Sequence, residues 1–175
     1  WFTMILPQVY TYQVLVTYET EETWGECVPE RQGAKLTRTY EKLESGKPLH
    51  IVFFGDSITA GWEASGADEP AVDMGSLNPM KVQSDRYPHM PVWAELLTRK
   101  LREVYPQAEI TKDNLSSGGS TAKWGVEHVN ELFDRVAVPD LVFLGFGMNC
   151  MWDPAEEFIG YLSAIMTELR KRNPE

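Results

Sequence analysis

Apolar and polar residues follow two different patterns, which change near Pro48. In residues 9–18, Tyr and Val alternate with Thr and Gln, and this period of two predicts a half-buried strand. Residues 49–54 instead form a continuous apolar run that ends at Gly55. Such a run is typical of a strand that is buried on both faces of a parallel sheet.

Helical spacing then alternates with short apolar runs. Helices are predicted over residues 92–104, over about 124–136 and, beginning at Asp153-Pro154, up to about residue 173. Strands are predicted over residues 108–112 and 141–144. The order strand–helix–strand–helix–strand–helix predicts an α/β fold in which helices cover both faces of a parallel sheet.

The chain is expected to have two regions. Residues 19–47 are polar and contain several glycines, so residues 1–46 are interpreted as a β-rich accessory region and connector. One or two strands bury too little surface to be stable alone. Residues 47–175 are expected to form the α/β domain.

Composition and charge limit the classes of partner that the chain is expected to bind. The chain of 175 residues is 43% hydrophobic and 24% charged, the balance of a folded, soluble globule, and carries a net charge of -10. This charge disfavours nucleic acid and anionic membranes and suits a neutral substrate, such as an esterified sugar. Solubility alone would also explain the charge.

No cofactor or metal is expected. Cys27 and Cys150 have no metal-type spacing, and His50, His89 and His128 are scattered. No apolar run is long enough to cross a membrane, and the N-terminus has no basic flank of a signal peptide. The compartment and the oligomeric state stay open.

Three small polar clusters follow the predicted strands. Ser57 comes just after the first strand, between Gly55 and Gly61; residues 114–121 include Gly118 and Gly119; and Asn149 follows the last strand. In a parallel sheet the chemistry lies at the carboxyl ends of the strands. A serine nucleophile needs converging donors for the developing oxyanion, and the Ser57 N–H, a glycine N–H of the second cluster and the Asn149 amide would supply them.

These clusters resemble the sequence blocks of SGNH (GDSL) hydrolases. Gly55-Asp56-Ser57 is similar to the first block, residues 114–121 to the second, and Gly147-Met148-Asn149 to the third. The resemblance covers about residues 47–175. It implies a flavodoxin-like three-layer α/β/α fold and hydrolysis of an ester or thioester. Ser57 would then be the nucleophile, supported by Asp56, with Gly119 and Asn149 completing the oxyanion hole.

Two features depart from the family pattern. Cys150 occupies a position where the family usually has Asp, which mainly supports a turn. The chain also contains no Asp-x-x-His, the block that gives the family its general base and the group that orients it. We expect that the native protein continues with this block and further strands, or that a second copy completes the unpaired sheet edge. Among the histidines, only His89 lies in a loop that could approach Ser57.

The expected function is a serine esterase that acts on small acyl esters through an acyl-enzyme, with acetylated carbohydrate as the favoured substrate class. A lipase-type or thioesterase-type acyl hydrolase is the alternative enzyme. A non-catalytic carbohydrate-binding or interaction module is the alternative from another class, because the base is missing. The long loop of residues 61–91, which contains Trp62, is expected either to line the substrate pocket or to be a mobile insertion.

Overall fold

The computed structural model describes residues 16–21, 35–62, 91–135 and 138–173. The chain divides into two compact units, Trp1–Gln32 and Gly33–Glu175. In the first unit, residues 16–20 have no regular secondary structure, and Val16 and Tyr18 are exposed. The predicted strand is therefore wrong for residues 16–18, which pair with no other strand in the described ranges. Residues 9–15 lie outside them.

The second unit contains the predicted alternation of strands and helices. Its elements are α1 (Thr37–Ser45), β1 (Leu49–Gly55), α2 (Ser57–Ala60), α3 (Trp93–Val104), β2 (Ile110–Asn114), α4 (Ala122–Arg135), β3 (Leu141–Gly145), a 3₁₀ turn (Met148–Cys150) and α5 (Ala155–Arg172). The strand β2 begins two residues later than predicted.

Helix α1 lies in the region that was interpreted as a connector. Its nine residues are mostly polar, and only Thr39 and Leu43 are buried, so few apolar residues are present to indicate a helix. Leu43 packs with the core residues of β1, so α1 belongs to the second unit. For the remainder of residues 1–46, the β-rich accessory region stays a prediction.

The three strands are parallel, in the order β2-β1-β3. The register pairs Phe53 with Asn114 and Gly55 with Gly145. From β1 the chain moves to β2 on one side, and from β2 it crosses over β1 to β3 on the other side. The direction in which strands are added to the sheet therefore reverses at β1. The carboxyl ends of strands at such a switch point form the usual ligand crevice of open α/β sheets.

Alternate residues of β1 face two separate cores. Ile51 and Phe53 pack with residues of α1 and α3, whereas Val52 and Phe54 pack with residues of α4 and α5. All four side chains are fully buried, as expected for the central strand of a sheet that is covered on both faces. The structure therefore confirms the three-layer α/β/α fold.

Aromatic contacts fix the strands near their carboxyl ends. Phe53 stacks on Phe143 with a centroid distance of 5.1 Å and meets Trp93 edge-on at 5.0 Å. On the other face, Phe54 meets Phe146 edge-on at 5.3 Å. Such pairs contribute about 0.5–1.5 kcal/mol each beyond the area that they bury. The Phe53–Phe143 pair joins β1 to β3, and the Phe54–Phe146 pair joins β1 to the residue that follows β3.

The outer edge of β3 has no strand partner within the described ranges. All five residues of β3 are accordingly only half-buried. Next to this edge, β3 and the helices α4 and α5 form an apolar groove, lined by Phe133, Val142, Leu144, Met166 and Leu169 among others. The unpaired apolar edge expected from the sequence is thus present in this part of the chain.

Candidate active site

Ser57 is the first residue of the short helix α2, directly after β1 and Asp56. Asp56 is 2% exposed, and its Oδ1 accepts a hydrogen bond from the Ile58 N–H at 2.9 Å. The backbone N–H of Asp56 donates to the Gly145 carbonyl on β3 at 3.1 Å. Asp56 is therefore a buried N-cap that fixes the turn, while Ser57 stays partly exposed.

Glycines allow this turn to lie against the end of β3. A Cβ on Gly55 would lie 2.4 Å from the Gly145 carbonyl oxygen, and one on Gly145 would lie 2.0 Å from Thr59 Oγ1. Thr59 Oγ1 donates to the Gly145 carbonyl at 2.9 Å. Side chains at either glycine would push the serine turn away from β3.

The second cluster is hydrogen-bonded to the end of β1. The Gly55 carbonyl accepts the Ser117 N–H at 2.9 Å, and Ser120 Oγ lies 3.0 Å from the same oxygen. Asn114 at the end of β2 donates from Nδ2 to the Thr59 carbonyl at 2.9 Å. The loop after β2 is thus attached both to the residue before Asp56 and to the helix of Ser57.

Gly119 is exposed at the outer side of this loop. Its φ of 76° lies in the left-handed region, where glycine is favoured over residues with a Cβ. Its neighbour Ser120 is 3% exposed. The loop therefore buries Ser120 against β1 and leaves Gly119, the predicted oxyanion donor, at the surface.

Asn149 joins the third cluster to the second. Its Nδ2 donates to the Ser120 carbonyl at 2.9 Å. An amide nitrogen carries two hydrogens, so this bond fixes the side chain and leaves one hydrogen for a ligand. The structure therefore brings the loops of Ser57, Gly119 and Asn149 to the same edge of the sheet.

Cys150 makes a second connection between these loops. Its Sγ accepts a hydrogen bond from the Ala122 N–H at 3.2 Å, and the residue is 7% exposed. Burial raises the pKa of the Cys150 thiol, the Ala122 hydrogen bond opposes this rise, and the nearby Asp153 adds to it. Cys150 is thus a neutral thiol that holds the turn, the role expected of this position.

Neither histidine of the described ranges lies at this edge. His50 is at the start of β1, where Nδ1 lies 2.8 Å from Thr111 Oγ1 and Nε2 lies 3.0 Å from Asp113 Oδ2. His128 lies on α4, where its ring stacks on Trp124 and its Nδ1 lies 2.8 Å from the Trp124 carbonyl oxygen. His89 lies outside the described residues. Within those residues, no imidazole can act as a base for Ser57.

Trp62 is the described part of the loop that was expected to line a pocket. The backbone N–H of Trp62 donates to the Ser57 carbonyl at 3.0 Å. Its ring covers Gly118 so closely that a Cβ there would lie 2.1 Å from Trp62 Cη2. Trp62 therefore lies beside both Ser57 and the Gly119 loop, whereas Tyr87, His89 and Met90 of the same loop lie outside the described residues.

We expect Gly118→Ala to destabilise the protein by about 1–3 kcal/mol, because the new methyl group must displace the Trp62 ring. Urea unfolding monitored by circular dichroism measures this change. Gly160→Ala is the matched control, since Gly160 lies on α5 with open space around its Cβ position. Higher helix propensity should stabilise that variant by roughly 0.5–1 kcal/mol. Equal stabilities for wild type and Gly118→Ala would contradict the contact.

Sequence reasoning found the three clusters but not the hydrogen bonds that connect them. Thr59, Asn114 and Ser120 make these connections through short polar side chains. Small polar residues at strand ends were the available signal.

No group of three or more His, Cys, Asp or Glu side chains within the described ranges is placed to hold a metal ion. No helix in those ranges is long and apolar enough for a membrane span.

Comparisons with known proteins point to one family. The sequence pattern of the GDSL-like Lipase/Acylhydrolase family matches residues 53–175. Among solved structures, a two-domain esterase (CEX) active on acetylated mannans aligns with a TM-score of 0.57 and 22% identity, over 80% of this chain and 31% of that protein. AlinE4, an SGNH-hydrolase family esterase, aligns with a TM-score of 0.50 and 22% identity, over 72% of this chain.

The chain spans less than a third of the two-domain esterase and 55% of the length of AlinE4. At these identities, the alignments establish a shared fold. A search of curated protein sequences found no match.

Proposed function

Because this chain belongs to the GDSL-like lipase/acylhydrolase family, we propose that it is a serine ester hydrolase with Ser57 as its nucleophile. The observation that carries the proposal is the set of hydrogen bonds that holds the three loops together. The Gly55 carbonyl accepts a hydrogen bond from the Ser117 N–H in the loop of Gly119. The Ser120 carbonyl of the same loop accepts one from the Asn149 amide. These bonds connect the loop of the partly exposed Ser57 with the two loops that carry the proposed oxyanion donors, which supports the proposal.

In the proposed reaction, Ser57 Oγ attacks the ester carbonyl carbon and the alcohol leaves. Water then attacks the acyl-enzyme and releases the acid. The Ser57 N–H, the Gly119 N–H and the free amide hydrogen of Asn149 would stabilise the negative charge of both tetrahedral intermediates. Asp56 keeps the turn in place without touching the substrate.

The proton of Ser57 Oγ requires a base. Resemblance to the family implies an Asp-x-x-His, and the described residues bring no histidine to Ser57. A site that has only the serine and the oxyanion donors retains a small residual rate over water. This observation also favours a second candidate, a binding module in which the same loops hold a ligand without hydrolysing it.

For the substrate, we propose small acyl esters of neutral alcohols, with acetylated carbohydrate as the favoured class. The net charge of -10 supports a neutral substrate. Lipid-like esters and thioesters are the alternative class.

The substrate proposal predicts that acetyl esters are hydrolysed faster than long-chain esters. A series of p-nitrophenyl esters with increasing acyl length, assayed with added imidazole as an external base, tests this order. We expect kcat/KM to fall by at least about tenfold from acetate to the long chains. A rise with chain length would support the lipase-type alternative and contradict the proposal. Rates measured without protein provide the background.

A further inference from the structure

Trp152 is the most exposed large hydrophobic side chain in the described part of the chain, with 89% of its surface accessible. Met148 and Met151 on the same turn are 57% and 67% exposed. Burying an indole ring is strongly favourable in free energy, and a ring that stays in water does not contribute this stabilisation. Apolar groups exposed together on a surface often mark a binding site.

The turn that carries Trp152 is fixed to the candidate active site. The Asp153 N–H donates to the Cys150 carbonyl at 3.0 Å, and the Cys150 N–H donates to the Gly147 carbonyl at 2.9 Å. Cys150 is in turn bonded to Ala122, and Asn149 to Ser120. Trp152 therefore follows the proposed oxyanion donor Asn149 by three residues, on a backbone that is tied to a second loop of the site.

We propose that Trp152 is a stacking platform for a sugar ring of the substrate's alcohol portion. This inference rests on the proposed ester hydrolase function and names the part of the substrate that lies outside the reacting bond. The face of an indole carries partial negative charge, which attracts the C–H groups on the flat side of a pyranose. A rigid aromatic side chain on a fixed turn also loses little entropy when it binds.

The residues that follow Trp152 favour a sugar over an acyl chain. Asp153 is adjacent, and Glu156 and Glu157 form the first turn of α5. Carboxylates accept hydrogen bonds from hydroxyl groups and repel anionic fatty acids and phosphorylated head groups. An acyl chain needs an enclosed apolar channel, whereas Trp152 and the two methionines present an open surface.

Isothermal titration calorimetry with neutral cello-, xylo- and manno-oligosaccharides tests the platform on the full chain, without requiring hydrolysis. Trp152→Ala and Trp152→Leu should each weaken binding by roughly tenfold. Trp152→Phe, which keeps a flat ring, should bind nearly as well as wild type. Ile159→Ala is the control, because Ile159 is a 61% exposed apolar residue one turn into α5; it should not change the affinity.

Unchanged affinity in Trp152→Ala, or no oligosaccharide binding to the wild type, would overturn the inference. So would full affinity in Trp152→Leu, because a leucine can replace the apolar surface but not the flat face. Reaction of the same samples with a fluorophosphonate separates this inference from the proposed function. If Ser57 forms an adduct but sugar binding does not depend on Trp152, only the platform proposal is rejected. Sugar binding that depends on Trp152, in a protein that forms no Ser57 adduct even with imidazole, supports the platform and rejects the hydrolase.

Discussion

Ser57→Ala is expected to abolish the ester hydrolysis that the protein adds in the presence of imidazole, so that the rate falls to that of imidazole in protein-free buffer. Alanine removes the only atom proposed to form a bond with the acyl group. Because Ser57 is partly exposed and its backbone makes the local hydrogen bonds, the substitution should leave the fold intact. The measurement is the initial rate of p-nitrophenyl acetate hydrolysis, over a series of imidazole concentrations, compared with protein-free buffer.

The imidazole series separates hydrolysis by the protein from hydrolysis by imidazole alone. Free imidazole hydrolyses the ester by itself, so the informative quantity is the extra slope that the protein adds. Wild type should show that extra slope and Ser57→Ala should not. Ser163→Ala, an exposed serine on α5, should behave like wild type. An equal extra slope for wild type and Ser57→Ala would mean that another group reacts, and Ser57 would lose its proposed role.

Asn149→Ala is expected to lower the same rate by about 10²–10³-fold, the usual cost of removing one oxyanion donor. The second amide hydrogen of Asn149 would stabilise charge that develops only as the tetrahedral intermediate forms. The effect should therefore appear mainly in kcat. The substitution also removes the bond to the Ser120 carbonyl, so thermal unfolding must be measured beside the kinetics.

Asn173→Ala separates the two effects. Asn173 Nδ2 donates to the Pro139 carbonyl at 2.9 Å, the same kind of bond as that of Asn149, but it lies near the start of β3 rather than its end. Loss of either bond should lower the free energy of unfolding by about 0.5–1.5 kcal/mol. Only Asn149→Ala should lower the rate. Equal kinetics for the two variants would exclude Asn149 from the oxyanion hole.

The fold was predictable where hydrophobic pattern and burial agree. The apolar run of residues 49–54 indicates a strand covered on both faces, and β1 is the central strand with side chains in two cores. Helix α1 was missed because it is only nine residues long and mostly polar, with Leu43 as its one buried large apolar side chain. The strand predicted for residues 9–18 failed at residues 16–18 because alternation indicates a possible strand but does not provide a partner.

The sequence predicted which residues follow the strands at the candidate site, but not the hydrogen bonds between them. Strand ends placed Ser57, Gly119 and Asn149 at one edge, since parallel strands end on the same side. The contacts of Thr59 with Gly145 and of Asn114 with the Thr59 carbonyl depend on the register of the strands. A shift of one residue would turn these side chains to the opposite face. The exposure of Trp152 was also not predictable, because a Met-Trp pair more often indicates core.

Cys150 shows how a changed residue can keep a structural role. A thiol is a weak acceptor, yet it receives the Ala122 N–H and keeps the third loop attached to the second. Since burial raises the pKa of this thiol, its charge state does not change near neutral pH. The site can therefore hold Asn149 in place without the carboxylate that the family usually has there.

The central claim is that Ser57 is the nucleophile. Its most direct test is to incubate the protein with a fluorophosphonate and added imidazole, measure the intact mass and locate the adduct by peptide mass spectrometry. The proposed function predicts one adduct per chain, on Ser57, and none in Ser57→Ala. An adduct on another residue, or no adduct on Ser57 under these conditions, would contradict it.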